Sequence, residues 1–553
     1  MRRSLNIPRL GTVNEQPTNV YISPVNLTAN GRAHLGHAAG PFLRMDILQK
    51  HLKRAGHCVR SGLTTDGFEN HVLVRAAKEN VDPSNLAHGY FLKIVEDLAS
   101  IGIRFDRFDD PAYGRNMDTF SSVSNELMSS LLSSGSVEFR EGRIPIDIAK
   151  SATTLLEECF CIGGWFGATC PLCSAPAGSF FCEQCGYHFE PYEAVNPFSR
   201  RAEIIGWKDD ISAYLSFAQK DLLSQAWSDM AIEGSFREIG ERYITYKGQQ
   251  MRLTVPGIHG LHWPSAKFVS NQILFSYSSL LYAHSLYCGQ KDSESNGNLN
   301  PFVKDADTFL IGATGIDNTV PMLVGVTGCA LGQNSFRSFD RIYFNHFLRL
   351  NGSKFSTSRG HVIWAGDIAR IPSISVDILR MYLSEICPED AETDLVSGHL
   401  VDRYNELLKL ISGCVDDCSK SIASVPADTV CDIDETLFAT LSPLYEMQCK
   451  ALSLDHLRVS QASSAVLEWA RRSETRPSPY AAYSWLMGFS VLAWPLMPQI
   501  TESVWRWLGH TGHPNVEHAL RPSTERVGRV PQMEARRLTT ADLDGCLPQE
   551  IAA

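Results

Sequence analysis

ANGRAHLGH (29–37) is the stretch on which the reading of this chain turns, and it gains its meaning from NGSKFSTSRG (351–360) far downstream. Asn30-Gly31 permits a tight turn, and the residues after it are placed to open a helix whose free amides and dipole favour phosphate. His34 and His37 then share one face at that end, where imidazole N–H groups can bond phosphate oxygens and the charge that builds on a reacting phosphate. The second stretch is a Gly, Ser and Thr-rich loop carrying Lys354 and Arg359. Such a loop can close on a triphosphate, with Lys354 neutralising charge on the pyrophosphate and Ser356 and Ser358 adding donors. Each stretch alone is explained as well by packing or by a solvated basic turn; the two together are harder to dismiss.

Working outward, residues 19 to 71 show an apolar run, the Asn30-Gly31 turn, a helical pattern through Leu43, Met45, Leu48 and Leu52, and a second apolar run at Val59 to Leu63. That order is a strand, helix, strand unit of a parallel sheet. A segment from about 115 to 235 interrupts it, bringing a cysteine cluster and the turn-rich FEPYEAVNPFSR. Sheet-like runs resume at FLIGATG and RIYFNHFLRL. From about 375 the patterns SVDILRMYLSEI, VDRYNELLKLISG and ITESVWRWLG are amphipathic helices.

The 553 residues exceed one ordinary core and suggest several domains. No apolar run is long enough to span a bilayer, so membrane insertion is not expected. The basic opening MRRSLNIPRL lacks the apolar core of a secretory signal, and a cytoplasmic protein is expected. A net charge of −11 argues against bulk capture of nucleic acid without excluding a local basic groove.

Among 15 cysteines, Cys170, Cys173, Cys182 and Cys185 form CPLC and CEQC separated by eight residues. Two such pairs can close one tetrahedral Zn²⁺ site with no open position, so the expected role is structural. Cys159 and Cys161 have a less favourable spacing and leave a second half-site open.

HLGH and KFSTS resemble the HIGH and KMSKS signatures of the class I aminoacyl-tRNA synthetase family, and the chain looks most like the methionyl members. The likeness continues through DGFENH, CGYHFEPYEAVNP, GIDNTVPML and SVDILRMYL, in order along most of the chain. It implies an α/β fold: a Rossmann-type catalytic domain (15–115 and 236–372), an inserted zinc-binding connective domain (116–235), and a C-terminal α-helical anticodon-binding-like domain (373–553). It also implies ATP with Mg²⁺, and attack of an amino-acid carboxylate on ATP to give aminoacyl-AMP and pyrophosphate. By position, His34, His37 and Lys354 resemble the transition-state stabilisers. Asn30, Gly36, Asp317, Ser356 and Ser358 resemble ATP-binding residues, and Asp66 the partner of the substrate ammonium. Thr357 stands where the second lysine of KMSKS is usual, a variant also found in the family.

The departures fall at the amino-acid pocket and the helical domain. Where methionyl enzymes read like ALPYANG and WLDAPIGY, this chain has VNLTANG and SNQILFSY, placing Asn26, Thr28 and Ser270 where apolar or aromatic side chains enclose a thioether. Buried polar groups left unpaired around methionine would cost roughly 1–3 kcal/mol each, so methionine is expected to be a poor substrate. In the helical domain, Cys414 and Cys418 stand near the expected anticodon-reading pair, Asp416 and Asp417 would repel a phosphate backbone, and Tyr480 replaces a tryptophan. The leading expectation is therefore a ligase that activates an amino acid and passes the acyl group to a small molecule. An N-hydroxylated amino acid is one such acceptor, as in hydrazine-forming synthetases, and a zinc cupin partner would then be a separate protein. The alternatives are a genuine methionine-tRNA ligase and, third, a catalytically inactive binding paralogue.

Overall fold

A computed structural model describes residues 19–148 and 160–548, apart from 183, 202–204, 217–220, 249, 435, 437–438, 474–476, 520, 523–524 and 534–535. The opening MRRSLNIPRL and Cys159 lie outside the described residues.

The first apolar run forms strand β1 (Asn19–Ile22), continued by the short β2 (Leu27–Thr28); the second forms β3 (Cys58–Asp66), with β4 (Arg107–Asp109) beside it. FLIGATG and RIYFN return as β5 (Phe309–Gly315) and β6 (Arg341–Asn345). All pairings are parallel, in the order β6-β5-β1-β3-β2 with β4 on β3. Parallel strands need crossovers and bury both faces. Accordingly Val20 and Ile22 enter one hydrophobic core while Tyr21, between them, enters another. The first core continues through the helix Leu43–Arg54 into the C-terminal helices; the second is closed by the helices Asn116–Ser133 and Ser279–Asn296 and by the inserted segment.

That insertion rests on a long antiparallel pair, Val137–Asp147 against Ile205–Ser216, and its third strand, Gln250–Arg252, lies past residue 235. The sheet on which the inserted segment rests thus takes a strand from beyond residue 235. A comparable extension holds the second signature: Leu348–Leu350 pairs with Ser353–Lys354 as a hairpin and, on its other edge, with Thr393–Leu395 from beyond the helix Val376–Glu385. Three-residue strands carry too little alternation to be read from sequence.

The C-terminal helices, among them Ser397–Ala423, Val459–Ala470 and Pro479–Ala493, are joined to the sheet domain by buried arginines. Arg380 pairs with Asp46 at 2.6 Å, both fully buried, and also donates to the carbonyls of Leu496, Pro495 and Gly102. Arg54 reaches Gln448 in the same way. Among the described residues, no helix is long and apolar enough to cross a membrane.

Candidate active site

The carboxyl ends of β1, β2 and β5 open into a cavity of about 890 Å³, where ligands collect in open parallel sheets. Asn26, Thr28, Asn30, Gly36, His34, His37, Asp317, Lys354 and Ser356 all line it, so two signatures far apart in the chain meet at one site. Ser358 sits in the short turn Thr357–Arg359; its side chain lies outside the described residues.

The ANGRA turn is fixed from behind. Arg32 grips Asp97 with two bonds of 2.7 and 3.1 Å and reaches Asp367 at 3.1 Å, while Asp97 also accepts from the amides of Ala33 and Gly366. Asp97 is nearly inaccessible, so these charge-assisted bonds hold the loop strongly. Backbone bonds Leu35 N to Ile363 O and Ala365 N to Ala33 O stitch it to the segment after KFSTS.

His34 caps the short helix Leu35–His37. Its Nδ1 accepts from the His37 amide at 3.2 Å, and the His37 Nδ1 faces the His34 amide at 3.5 Å. With each Nδ1 an acceptor, the proton of each neutral ring sits on Nε2, free to donate into the cavity. Burial keeps both rings neutral: it pushes His37 down to about 4, with help from the Lys354 charge, and His34 lower than its ordinary value, with help from His37 and Lys354. Phe355 stacks on His34 at 5.0 Å, and Lys354 Nζ lies 3.9 Å over the Phe347 ring. Gly36 leaves room here: a Cβ would stand 3.0 Å from the His34 ring and 3.2 Å from Phe355, so both rings would have to shift to admit it. Gly31 has the same logic, for a Cβ would meet the Thr357 methyl at 2.7 Å.

Two residues expected at the amino-acid pocket are placed differently. Asp66 pairs in register with Thr28, yet its Oδ1 accepts from the amides of Phe68 and Glu69, capping the turn, and it does not line the cavity. Ser270 is a correction: its hydroxyl donates to Asp210 of the insertion at 2.7 Å and it lines neither this cavity nor its neighbour. Tyr277, seven residues on, lines both. The sequence carries no spacing signal for residues that support the site through contact: Phe355 on the His34 ring, Trp364 at 6.3 Å from that ring, and Arg32, whose guanidinium lies 5.6 Å from the Trp364 ring centre.

Over this cavity the insertion lays Gly163, Gly164 and Pro176–Phe181. The latter lie between the two cysteine pairs, whose four Sγ atoms fall within 4.8 Å of one another, Cys170 to Cys185 at 3.8 Å and Cys173 to Cys182 at 3.6 Å. A tetrahedral zinc with Zn–S near 2.3 Å demands sulfur separations of about 3.8 Å, so the donors fit that ion and are too far apart for disulfides. Cys161 donates to the Trp165 carbonyl and is raised to about 11 by burial. In the helical domain, Cys418 is fully buried and the Cys414 thiol is bonded to the Ala470 carbonyl, whereas Tyr480 is half exposed.

A cavity built from HLGH and KFSTS at the carboxyl edge of a parallel sheet defines an ATP-dependent ligase that forms aminoacyl adenylates. The profile for tRNA synthetases class I (M) matches residues 20–416, and the chain belongs to that family. Methionine–tRNA ligases of Bifidobacterium adolescentis and Saccharopolyspora erythraea are each 25% identical to it, over 88% of this chain and 83% and 86% of theirs. A structure of Mycobacterium tuberculosis methionyl-tRNA synthetase in complex with methionyl-adenylate superposes with a TM-score of 0.69 at 15% identity, covering 93% of this chain and 99% of that one.

Proposed function

We propose that His34, His37 and Lys354 stabilise the transition state for attack of an amino-acid carboxylate on the α-phosphorus of ATP. The observation that carries this is their convergence, with Asn30, Asp317 and Ser356, on one cavity. The Nε2–H groups of His34 and His37 donate to the phosphate oxygens as charge accumulates, and Lys354 does the same for departing pyrophosphate; donors already in place cost little reorganisation. Gly36 lets Phe355 close on the His34 ring, Asn30 and Asp317 hold the nucleotide, and Ser356 with Ser358 adds donors to its phosphates. Mg²⁺ bound with ATP would offset the charge of its phosphates. Cys170, Cys173, Cys182 and Cys185 would hold Zn²⁺, which shapes the strip Pro176–Phe181 over the cavity.

Asn26 and Thr28 face the same cavity and favour an amino acid other than methionine. The similarity to methionine–tRNA ligases, which extends through the helical domain, supports tRNA as acceptor. A second reading, a small-molecule acceptor such as an N-hydroxylated amino acid, is favoured by that domain's chemistry. Residues 373–553 hold 15 lysines and arginines against 25 aspartates and glutamates, which disfavours a phosphate backbone. No residue of this chain argues for a separate zinc cupin. Aminoacylation of total tRNA with each amino acid parts the two: charging supports tRNA, whereas adenylate formation with no charging, and enzyme-dependent acyl transfer to an added N-hydroxylated amino acid, supports the second.

A further inference from the structure

Beside the ATP cavity lies a second one of about 800 Å³, and the two share Gly163, Phe180 and Tyr277 as walls. The second is aromatic: Phe68, Phe160, Trp165, Phe180, Phe275 and Tyr277 line it. Glu69 lines it too, and its side chain is 6% exposed.

Glu69 has a structural task that accounts for half of its carboxylate. It caps the helix Asn70–Glu79, with Oε2 accepting from the His71 amide at 2.6 Å. Oε1 is met by the Tyr277 hydroxyl at 3.4 Å, a long contact for an O–H donor. An N-cap needs no carboxylate, since Ser, Thr or Asn does as well. Its charged neighbours His71 and Asp66 act on it in opposite directions. Among the described residues no ion pair reaches Glu69; Arg201, on the same cavity, is paired with Asp147 and donates to the Phe160 carbonyl, and His259 is held on the Gly67 carbonyl and lowered by burial. His71, exposed to the ATP cavity, is the nearest titratable base, and Asp66 adds like charge. Burial raises the Glu69 carboxyl above its ordinary value, against the opposing effect of His71. A buried carboxylate in a cavity lined by aromatic side chains is a site for a cation, which can gain both the charge pair and ring quadrupoles.

We propose that the second cavity receives the side chain of the amino acid being activated, that this side chain is cationic, and that Glu69 with Tyr277 selects it. The inference rests on the adenylate-forming reading above, and the shared walls put the carboxylate of such a substrate on the ATP side. The pairing would be lost on methionine, which offers Glu69 no donor.

The test is direct binding to the full chain, by calorimetry, of L-lysine, L-arginine, L-methionine and L-norleucine, with ATP–pyrophosphate exchange run in parallel. The expected result is tightest binding of a cationic amino acid, with a preference over norleucine of tenfold or more that Glu69→Gln abolishes. Glutamine retains an oxygen for the His71 amide, so the helix cap survives, and an unchanged melting temperature would show it. Equal or tighter binding of the neutral pair, or a cationic preference untouched by Glu69→Gln, would overturn the proposal. Binding as expected with no exchange for any amino acid would instead sink the adenylate-forming reading and leave the selectivity of the pocket standing.

Discussion

The rings of His34 and His37 stack at 3.7 Å with 14° between their planes, each presenting Nδ1 to the other's backbone amide. On the proposed reading, the pair acts as a double donor through its two Nε2–H groups. Replacing either ring by alanine should cost about 10²–10³-fold in the rate of adenylate formation, the scale of one lost transition-state donor, with a smaller change in the KM for ATP. Single-turnover formation of adenylate by His34→Ala and His37→Ala checks this; losses confined to KM would make the pair a binding element only.

Acid should destabilise the fold through these and other buried imidazoles. His37 and His510 are lowered to about 4, and His34 and His51 are lowered well below their ordinary value, burial being the first cause in each. Unfolded histidines take up protons near 6.5 and folded ones do not. Their contribution is therefore complete above about pH 6.5 and is lost as pH falls toward 4. Melting temperature measured across pH 4 to 8 should drop below about 6.5; a flat profile would contradict the burial argument.

Much of this architecture was legible because it is periodic or punctuated. The Leu43, Met45, Leu48, Leu52 pattern became the helix Leu43–Arg54, and CPLC with CEQC became one four-sulfur cluster. What escaped depends on contacts between distant segments. Thr393–Leu395 is recognisable only beside Leu348–Leu350, and Ser270 looked like a pocket residue until Asp210 was found to claim its hydroxyl. Glu69 stood in DGFENH three residues after Asp66, but a carboxylate at a helix start reads as a cap until the cavity behind it is visible.

Loss of the metal should loosen the lid of the active site as well as the insertion. Purified protein is expected to hold one zinc per chain. Chelation, or Cys182→Ala, should lower the melting temperature and also the exchange rate, because Pro176–Phe181 between the cysteine pairs lines the ATP cavity. Metal content by atomic emission beside the activity of the same sample is the measurement. Full activity and stability in a metal-free sample would remove zinc from the account.

The Arg380–Asp46 pair should be the tightest fastening between the helical domain and the sheet domain. Arg380→Ala takes from the fully buried Asp46 one of its two ion-pair partners, leaving Lys50, the Gln49 amide group and the Arg104 amide, and breaking a buried pair costs up to about 3–5 kcal/mol. Urea unfolding should show that loss, whereas Arg370→Ala, at an exposed pair with Glu96, should change stability by under about 1 kcal/mol.

Most direct of all is ATP–pyrophosphate exchange by the purified chain across the amino acids, with wild type beside Lys354→Ala. The account predicts exchange that depends on an amino acid, is weak with methionine, and falls about a hundredfold or more in Lys354→Ala. No exchange with any amino acid, or exchange indifferent to Lys354, would contradict it.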